Sequence, residues 1–293
     1  TELLRTRNLI AGQWVDADAG GKLAVLNPAS GDKLADVPLC GADETRRAID
    51  AANAAWPAWR TLTARRRSQI LQAWNRLILD NADDLAQIVT AECGKPLAEA
   101  RGEVIYGASF VEWFAEEGKR TYGESIPSPA STTRLLVVKQ PIGVCAAITP
   151  WNFPAAMITR KAGAALAAGC TMVLKPASQT PFSALALAEL AQRAGIPAGV
   201  LNVLPGYGHT VGKALALHMD VDTLVFTGST RTAKQLLIYA GESNLKRVWT
   251  EAGGKSPNIV CADAPDLRAA ARAAAGAICF NQGEVCTAGS RLL

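Results

Sequence analysis

Short apolar runs alternate with alanine-rich segments of helical character from Leu135 onward, and this alternation constrains the fold more than any other feature of the sequence. Continuous apolar runs separated by helices are typical of strands that are buried on both faces. We therefore predict an α/β fold with a parallel sheet. The predicted strands are 144–148, 171–174, 200–204, 223–226, 247–250 and 258–261. The predicted helices are 154–168, 181–194, 209–218, 230–241 and 265–278.

Segments rich in small and polar residues follow most of these predicted strands. Parallel sheets bind ligands beyond the carboxyl ends of their strands, so we expect these segments to form a ligand site. The segments are 149–152, 175–178, 205–208, 227–230 and 251–254.

The chain before Leu135 has a different pattern. Residues 1–40 show short strand-like pieces with turn signals, and a helical pattern starts at Asp43, a residue type that caps helices well. Pro96 is suited to the first position of a further helix. We expect this region to pack on the sheet as a layer of helices and strands. One of its helical faces carries Ile70, Leu71, Trp74, Leu77 and Ile78.

Composition argues against several classes of protein and site. No run of about 18 apolar residues is present, so we expect no membrane span. The net charge of +4 is small and the Arg65-Arg66-Arg67 triplet is typical of a solvated helix face, so we expect no nucleic-acid partner. Seven cysteines without a C-x-x-C pair and only two histidines argue against a metal site or a disulfide framework. Reduced thiols fit a cytoplasmic protein.

Cys286 and Glu251 lie in glycine-containing segments and have the residue types of a nucleophile and a base. A thiol beside a water-activating carboxylate would carry out nucleophilic catalysis. Each residue alone is more often structural, because most cysteines are small buried hydrophobes and most acids are solvated, and we expect the other cysteines to be structural. A cysteine protease would need a histidine base, and neither His209 nor His218 lies in a suitable loop.

These two segments, together with Thr149-Pro150-Trp151-Asn152-Phe153-Pro154, closely resemble the aldehyde dehydrogenase superfamily, and the resemblance covers essentially the whole chain. It implies that the Cys286 thiolate attacks an aldehyde carbonyl. It also implies that the side-chain amide of Asn152 and the backbone N–H of Cys286 stabilise the oxyanion. Hydride transfer from the thiohemiacetal to a nicotinamide leaves a thioester, and Glu251 activates the water that hydrolyses it.

The resemblance further implies a dinucleotide cofactor, NADP or NAD, although the chain has no G-x-G-x-x-G fingerprint. Ser178 stands where many NAD-preferring relatives carry Glu, which would accept the ribose 2′-OH and repel a 2′-phosphate. With Lys175 nearby, we predict that NADP is used well. The implied cofactor-binding residues are Thr149, Trp151, Lys175, Ser178, Gly228 and Ser229, the last two at the start of a predicted helix.

Different parts of the chain resemble relatives with different substrates. Residues 1 to about 195 resemble bacterial NADP-dependent succinate-semialdehyde dehydrogenases. The remainder resembles dehydrogenases of ω-amino aldehydes, of the γ-glutamyl-γ-aminobutyraldehyde type. A substrate carboxylate calls for arginines in the pocket; Arg160 matches one family arginine, and Phe280 stands where a second would be. We expect succinate semialdehyde to be the substrate, bound by Arg160, with an ω-amino aldehyde as the alternative. Arg160 is equally typical of a surface or interface arginine.

The resemblance also implies a domain organisation. Residues 1–250 would form a Rossmann-like dinucleotide-binding domain with an oligomerisation hairpin near 120–139, and residues 251–293 would begin an α/β catalytic domain that is truncated. We expect the chain to be a fragment that turns over poorly or not at all alone. At full length it would be a homodimer or homotetramer that acts on a small aldehyde.

Two other functions stay open. A noncatalytic fragment would bind the dinucleotide through Lys175 and Gly228-Ser229 without completing a catalytic site. An acylating reductase would release the thioester to coenzyme A. Glu251 argues against the reductase, because a hydrolytic base would consume the thioester first.

Overall fold

The structure is a computed structural model that describes residues 2–293. Its strands are β1 (Asn8–Ile10), β2 (Gln13–Val15), β3 (Lys22–Leu26), β4 (Lys33–Pro38), β5 (Glu124–Ile126), β6 (Leu135–Val137), β7 (Val144–Ile148), β8 (Thr171–Lys175), β9 (Leu201–Val203), β10 (Thr223–Gly228), β11 (Arg247–Ala252), β12 (Pro257–Asn258) and β13 (Arg291–Leu292). Its α-helices are α1 (Ala42–Thr61), α2 (Ala64–Asp80), α3 (Ala82–Cys93), α4 (Leu97–Glu117), α5 (Ala156–Ala168), α6 (Phe182–Arg193), α7 (Lys213–Leu217), α8 (Thr230–Gly241) and α9 (Leu267–Cys279).

The central sheet is mostly parallel, which confirms the predicted α/β class. Its strand order is β11-β10-β7-β8-β9-β1-β2. The first five strands run parallel to one another, and β1 and β2 add an antiparallel edge. The register places Ile148 opposite both Lys175 and Phe226, and Thr227 opposite Glu251. The carboxyl ends of β7, β8, β10 and β11 therefore meet at one edge of the sheet.

The sheet is covered on both faces, as the continuous apolar strands predict. On one face, α2 to α6 bury a cluster that includes Leu71, Trp74, Leu166 and Leu185. On the other face, α1, α7 and α8 cover a smaller cluster. The Trp74 indole N–H donates to the carbonyl oxygen of Leu187 at 3.0 Å, so the buried ring has its single donor satisfied.

Two predicted elements differ from the structure. The predicted helix 209–218 is divided into a π-helical turn, Gly208–Gly212, and the short helix α7. Glycines at both ends of this turn leave its backbone less restricted than other residues would. The predicted strand 258–261 shrinks to β12, which pairs only with β13. The next side chain, Ile259, is 66% exposed, so no apolar layer supports a longer strand there.

Several smaller predictions are corrected. Helix α1 begins at Ala42 with Gly41 as its cap, rather than at Asp43, because the Glu44 carboxylate accepts the Gly41 N–H at 2.8 Å. Pro96 is the cap of α4 and not its first residue. Cys261 and Cys279 are exposed, so they are not buried hydrophobes.

Strands β5 and β6 pair antiparallel as a hairpin within the predicted 120–139 segment. Every residue in both strands is exposed, and Leu136 reaches 76%. The oligomerisation role of this hairpin stays a prediction. Within residues 2–293, no helix is both long and apolar enough to cross a bilayer.

Candidate active site

The carboxyl edge of the sheet brings together several of the predicted site residues. Thr149 follows β7 directly, and its backbone N–H donates to the carbonyl oxygen of Lys175 at 3.1 Å. Gly228 ends β10, and Glu251 is the penultimate residue of β11 rather than part of the loop that follows. The edge therefore carries residues predicted for the cofactor and one predicted as the base.

Asn152 lies in the turn between β7 and α5, and its side chain points toward the loop that carries Cys286. The amide Nδ2 donates to the carbonyl oxygen of Glu284 at 2.7 Å. The Asn281 amide in turn donates to the carbonyl oxygens of Asn152, at 3.1 Å, and Glu284, at 3.3 Å. These bonds connect the turn of Asn152 with the backbone two residues before Cys286.

A buried ion pair supports the same turn. The side chains of Lys95 and Glu103 are each 1% exposed and form a salt bridge. Lys95 Nζ also donates to the carbonyl oxygen of Asn152 at 2.8 Å. Glu103 Oε1 accepts the backbone N–H groups of Ala155 and Ala156 at 2.8 and 3.1 Å. Charge-assisted bonds therefore hold the turn at its start and at its end.

The loop of Cys286 is shaped by residues with left-handed backbone. Helix α9 ends at Cys279, and a short 3₁₀ turn, Phe280–Gly283, follows. Asn281 and Gln282 have φ of 50° and 59°, a conformation that asparagine tolerates better than most residues. The Glu99 carboxylate accepts the Asn281 N–H at 3.0 Å and so ties the loop to α4. Cys286 itself is half-buried.

Two cavities meet at Cys286. The first has a volume of about 790 Å³, and the second about 600 Å³. Arg160, Cys286 and Thr287 line both of them. The first cavity is also lined by Ala98, Glu99, Gly102, Glu103, Tyr106, Phe153, Met157, Phe280 and Val285. Glu251 lines the second cavity. Cys286 and Glu251 therefore line one cavity together, and Cys286 also lines the larger one.

Lys161 is buried and lines the smaller cavity. Its Nζ donates to Thr227 Oγ1 at 2.7 Å. Burial, and then the charge of Arg160, lower the pKa of Lys161 to about 8, while the charges of Glu251 and Cys286 act in the opposite direction. Lys161 is thus a cation whose charge is sensitive to pH and which interacts with both predicted catalytic groups.

Lys175 and Ser178 lie beyond the end of β8. Lys175 is 4% exposed, its Nζ donates to the carbonyl oxygen of Pro176 at 2.8 Å, and burial lowers its pKa to about 8. Ser178 Oγ donates to the carbonyl oxygen of Gly206 at 3.1 Å. Among the described residues, Lys175 forms no ion pair with an acid.

The other predicted cofactor residues provide unsatisfied or exposed groups. Thr149 is buried, and its Oγ1 has no hydrogen-bond partner. Ser229 caps α8, with its Oγ accepting the Thr232 N–H at 3.3 Å. The neighbouring N–H groups at the start of α8 are suited to an anion. The Trp151 side chain is 41% exposed.

Arg160 is held by aromatic side chains. Its guanidinium lies 4.5 Å from the centre of the Phe110 ring, and its Nη2 donates to the Tyr106 hydroxyl at 2.7 Å. Its Nε is buried without a partner. The guanidinium thus keeps unused donors beside the larger cavity, as an anion-binding arginine requires.

Sequence reasoning missed the residues that support the site. Lys95 and Glu103 carry no catalytic motif, and charged residues are normally interpreted as solvated. Asn281 lies in the segment that leads to Cys286, but no role was predicted for it. One signal was available for Lys95, which stands between Gly94 and Pro96 at a sharp change of direction. Gly94 has a φ of 83°, so the backbone there is left-handed.

Comparison with known proteins gives the family. Residues 14–293 match the aldehyde dehydrogenase family. The chain belongs to this family. Succinate-semialdehyde dehydrogenase [NADP(+)] of Escherichia coli is 59% identical over 292 residues, covering 100% of this chain and 60% of that protein. Glutarate-semialdehyde dehydrogenase of Pseudomonas putida is 56% identical over 291 residues, covering 99% of this chain and 60% of that protein.

A solved structure has the same fold. The crystal structure of an E. coli NADP-dependent enzyme superposes with a TM-score of 0.97 at 58% identity, covering 99% of this chain and 60% of that one. This confirms the predicted aldehyde dehydrogenase fold. The chain spans about 60% of the length of these relatives.

Proposed function

We propose that the protein containing this chain oxidises an aldehyde to a carboxylic acid through a thioester on Cys286, with NADP or NAD as the oxidant and succinate semialdehyde as the substrate. The observation that carries the proposal is the position of Cys286. It lines both cavities, shares the smaller one with Glu251, and lies on a loop to which the Asn152 amide donates.

The first step forms a C–S bond. The Cys286 thiolate attacks the carbonyl carbon, and the carbonyl electron pair moves to oxygen. The Asn152 amide and the Cys286 N–H would donate to this oxyanion; removing one such donor costs about 10²–10³ in kcat in other enzymes. A dinucleotide bound at the carboxyl edge of the sheet would supply the acceptor for the hydride of the tetrahedral carbon. A thioester on Cys286 is left.

The second step breaks the C–S bond. Glu251 removes a proton from a water molecule, which attacks the thioester carbon. The carboxylic acid is released and the thiolate is regenerated. Glu251 is exposed and lines the smaller cavity together with Cys286, so water can approach the thioester from that cavity. This side-by-side arrangement supports hydrolysis over release to coenzyme A.

The residues at the sheet edge fit a dinucleotide. The buried Thr149 hydroxyl has no partner, and the start of α8 provides N–H groups for a pyrophosphate. Lys175 and Ser178 would contact the adenosine ribose. Since Ser178 carries no charge, a 2′-phosphate meets no repulsion there, which supports use of NADP. The E. coli relative is named as an NADP-dependent enzyme.

The larger cavity suits a short aldehyde that ends in a carboxylate. Its walls include Phe153, Met157 and Phe280, which would pack against methylene groups. Arg160 lines this cavity, and its guanidinium could donate to a substrate carboxylate. These features support succinate semialdehyde. Glutarate semialdehyde, for which one relative is named, differs from it by a single methylene group.

An ω-amino aldehyde is the second candidate, and one observation favours it. Glu99 lines the same cavity and gives it a carboxylate of its own. A substrate ammonium group would be attracted to this acid, and Phe280 in place of a second arginine weakens the case for a carboxylate. We propose that the later part of the chain contributes this preference.

The organisation of the intact protein is also proposed. We propose a dinucleotide-binding unit to residue 250 and the start of a catalytic unit at 251–293. Strands β12 and β13 support the second unit because they form a small sheet apart from the central one, while β11 of the central sheet runs two residues past this boundary, to Ala252. The exposed apolar hairpin β5–β6 supports oligomerisation into a homodimer or homotetramer.

A chimera tests the function. The remaining sequence of the E. coli relative would be joined after Leu293, and succinate semialdehyde, glutarate semialdehyde and γ-glutamyl-γ-aminobutyraldehyde would each be assayed with NADP and NAD. We expect turnover, fastest with succinate semialdehyde and NADP. A higher kcat/KM for the ω-amino aldehyde selects the second candidate. Dinucleotide binding without oxidation of any aldehyde selects the noncatalytic alternative.

A further inference from the structure

The ion pair of Lys95 and Glu103 has an unusual position for two charges. Both side chains are almost completely buried, although burying an ion pair gains little stability over well-packed apolar residues. Apolar side chains could fill the same volume. They could not donate to the carbonyl oxygen of Asn152 or accept the N–H groups of Ala155 and Ala156.

The bonds of this pair are confined to the turn that carries Asn152. Lys95 binds the carbonyl oxygen of Asn152 itself, and Glu103 binds the N–H groups three and four residues later. Lys95 Nζ also lies 4.3 Å from the centre of the Phe153 ring. Because the backbone is held on both sides of Asn152, its side chain can move only by rotation about its own bonds. The hydrogen bond from its Nδ2 to the carbonyl oxygen of Glu284 restrains that rotation.

Helix α4, which carries Glu103, also binds the loop that carries Cys286. Glu99 lies one turn before Glu103 on α4 and accepts the Asn281 N–H at 3.0 Å. Residues four apart share a helix face. Adjacent acids of α4 thus hold the oxyanion donor and the nucleophile loop. Helices α4 and α5 are in close contact, since a Cβ added at Gly107 would lie 3.0 Å from Thr159 Oγ1.

We propose that Lys95 and Glu103 are positioning residues that hold the Asn152 amide toward the carbonyl oxygen bound at Cys286. The catalytic part of this inference, that the amide stabilises an oxyanion, rests on the proposed function. The geometric claim is independent of turnover: without the pair, the fold persists but the Asn152 amide loses its fixed direction.

The direct test observes the Asn152 side chain. In protein labelled with ¹⁵N at asparagine, its NH₂ resonances are assigned by their loss in Asn152→Ala. We expect Lys95→Met and Glu103→Gln each to broaden or displace these resonances. The matched control is Arg101→Met. Arg101 lies on α4, as Glu103 does, and its substitution removes an exposed ion pair with Asp83 and should leave the resonances unchanged.

The double variant Lys95→Met/Glu103→Leu separates positioning from stability. Each single variant leaves one buried group unpaired and should lower the Tm, whereas the double variant leaves no charge and should recover it. We expect the Asn152 resonances to stay displaced in the double variant despite the recovered Tm. Wild-type resonances in the double variant, or in single variants with a lowered Tm, would overturn the proposal.

A double-mutant cycle, measured by steady-state kinetics in the chimera, tests whether Lys95 affects the reaction through Asn152. Lys95→Met should lower kcat with little change in KM, and the same substitution in an Asn152→Ala background should have no further effect on kcat. An equal loss in both backgrounds would show that Lys95 does not act through Asn152. Should the chimera oxidise no aldehyde, the proposed function fails, while the resonances still decide the positioning claim.

Discussion

At the scale of single residues, we propose that Ser178 and Lys175 select between the two dinucleotides. We predict that Ser178→Glu lowers the affinity for NADP by about tenfold or more relative to NAD, because a carboxylate repels the 2′-phosphate and accepts the 2′-OH. Ser178→Gln is the neutral control of similar size. The ratio of the two Kd values, measured by tryptophan fluorescence, reports the effect. A ratio that Glu leaves unchanged would contradict the assignment.

The charge of Lys175 adds a pH dependence. Burial lowers its pKa to about 8, so the ammonium that attracts a phosphate is present below that pH and is lost above it. We therefore predict that NADP binding weakens as the pH rises through about 8, and that NAD binding weakens less. Titrations of both dinucleotides across this range, with Lys175→Met as the control, measure the difference. Parallel curves for the two dinucleotides would refute the assignment.

The predictability of the site varies from residue to residue. Cys286, Glu251 and Asn152 could be selected from the sequence because their flanking motifs are distinctive. Lys95 and Glu103 could not, because their burial depends on α4 packing against a turn some fifty positions away, with Ala155 lying 52 residues from Glu103. A local pattern contains no information about such a contact.

At the scale of elements, Glu92 joins α3 to the start of α6. Its carboxylate accepts the N–H groups of Phe182 and Ser183, at 2.6 and 2.8 Å, and the Ser183 hydroxyl. Complete burial nevertheless raises its pKa from 4.5 to about 8. The folded state therefore retains a proton that the unfolded state has released between these two values.

This linkage fixes the sign of a pH effect. The stability contributed by protonated Glu92 is fully present below pH 4.5 and is lost as the pH rises toward about 8. We predict that the free energy of unfolding falls over this range, by up to about 1.4 kcal/mol per pH unit from this group. Glu92→Gln should flatten the profile measured by urea unfolding. An identical slope in the variant would exclude Glu92 as its source.

Gly143 precedes β7, and its lack of a side chain lets the Asp222 carboxylate approach the backbone there. Its φ is 130°, and an added Cβ would overlap the Asp222 carboxylate, which accepts the Val144 N–H at 2.7 Å. We predict that Gly143→Ala lowers the free energy of unfolding by roughly 2–4 kcal/mol through backbone strain and overpacking. Gly276→Ala in α9, where nothing lies within 4 Å, should raise it by about 0.5–1 kcal/mol. Equal effects at the two glycines would contradict this account.

The elements themselves were largely predictable. Buried parallel strands and their helices have strong periodic signals, so β7, β8, β10 and β11 agree with the predicted runs to within two residues. Strand β12 and the divided helix at 208–217 did not follow the pattern. The length of β12 depends on its pairing with β13, which lies far along the chain. The division of the helix depends on the π-helical turn Gly208–Gly212, which the spacing of apolar residues does not encode.

At the scale of the whole molecule, the chain exposes several large apolar side chains. Trp249 in β11 is 55% exposed and lines the smaller cavity, while Leu237 and Ile238 are exposed on α8. We predict that the chimera forms a homodimer or homotetramer and that Leu136→Glu in the β5–β6 hairpin lowers its oligomeric state, as measured by sedimentation. The exposed Leu79→Glu in α2 is the control. An unchanged oligomeric state in Leu136→Glu would show that the hairpin does not lie in the interface.

The covalent chemistry at Cys286 is tested most directly by mass spectrometry of the chimera carrying Glu251→Gln, mixed with succinate semialdehyde and NADP. The account predicts an acyl group on the peptide that contains Cys286, formed together with an equivalent of NADPH, because hydrolysis is blocked while oxidation is not. Cys286→Ala should give neither product. Oxidation of the aldehyde at the wild-type rate by Cys286→Ala would contradict the account.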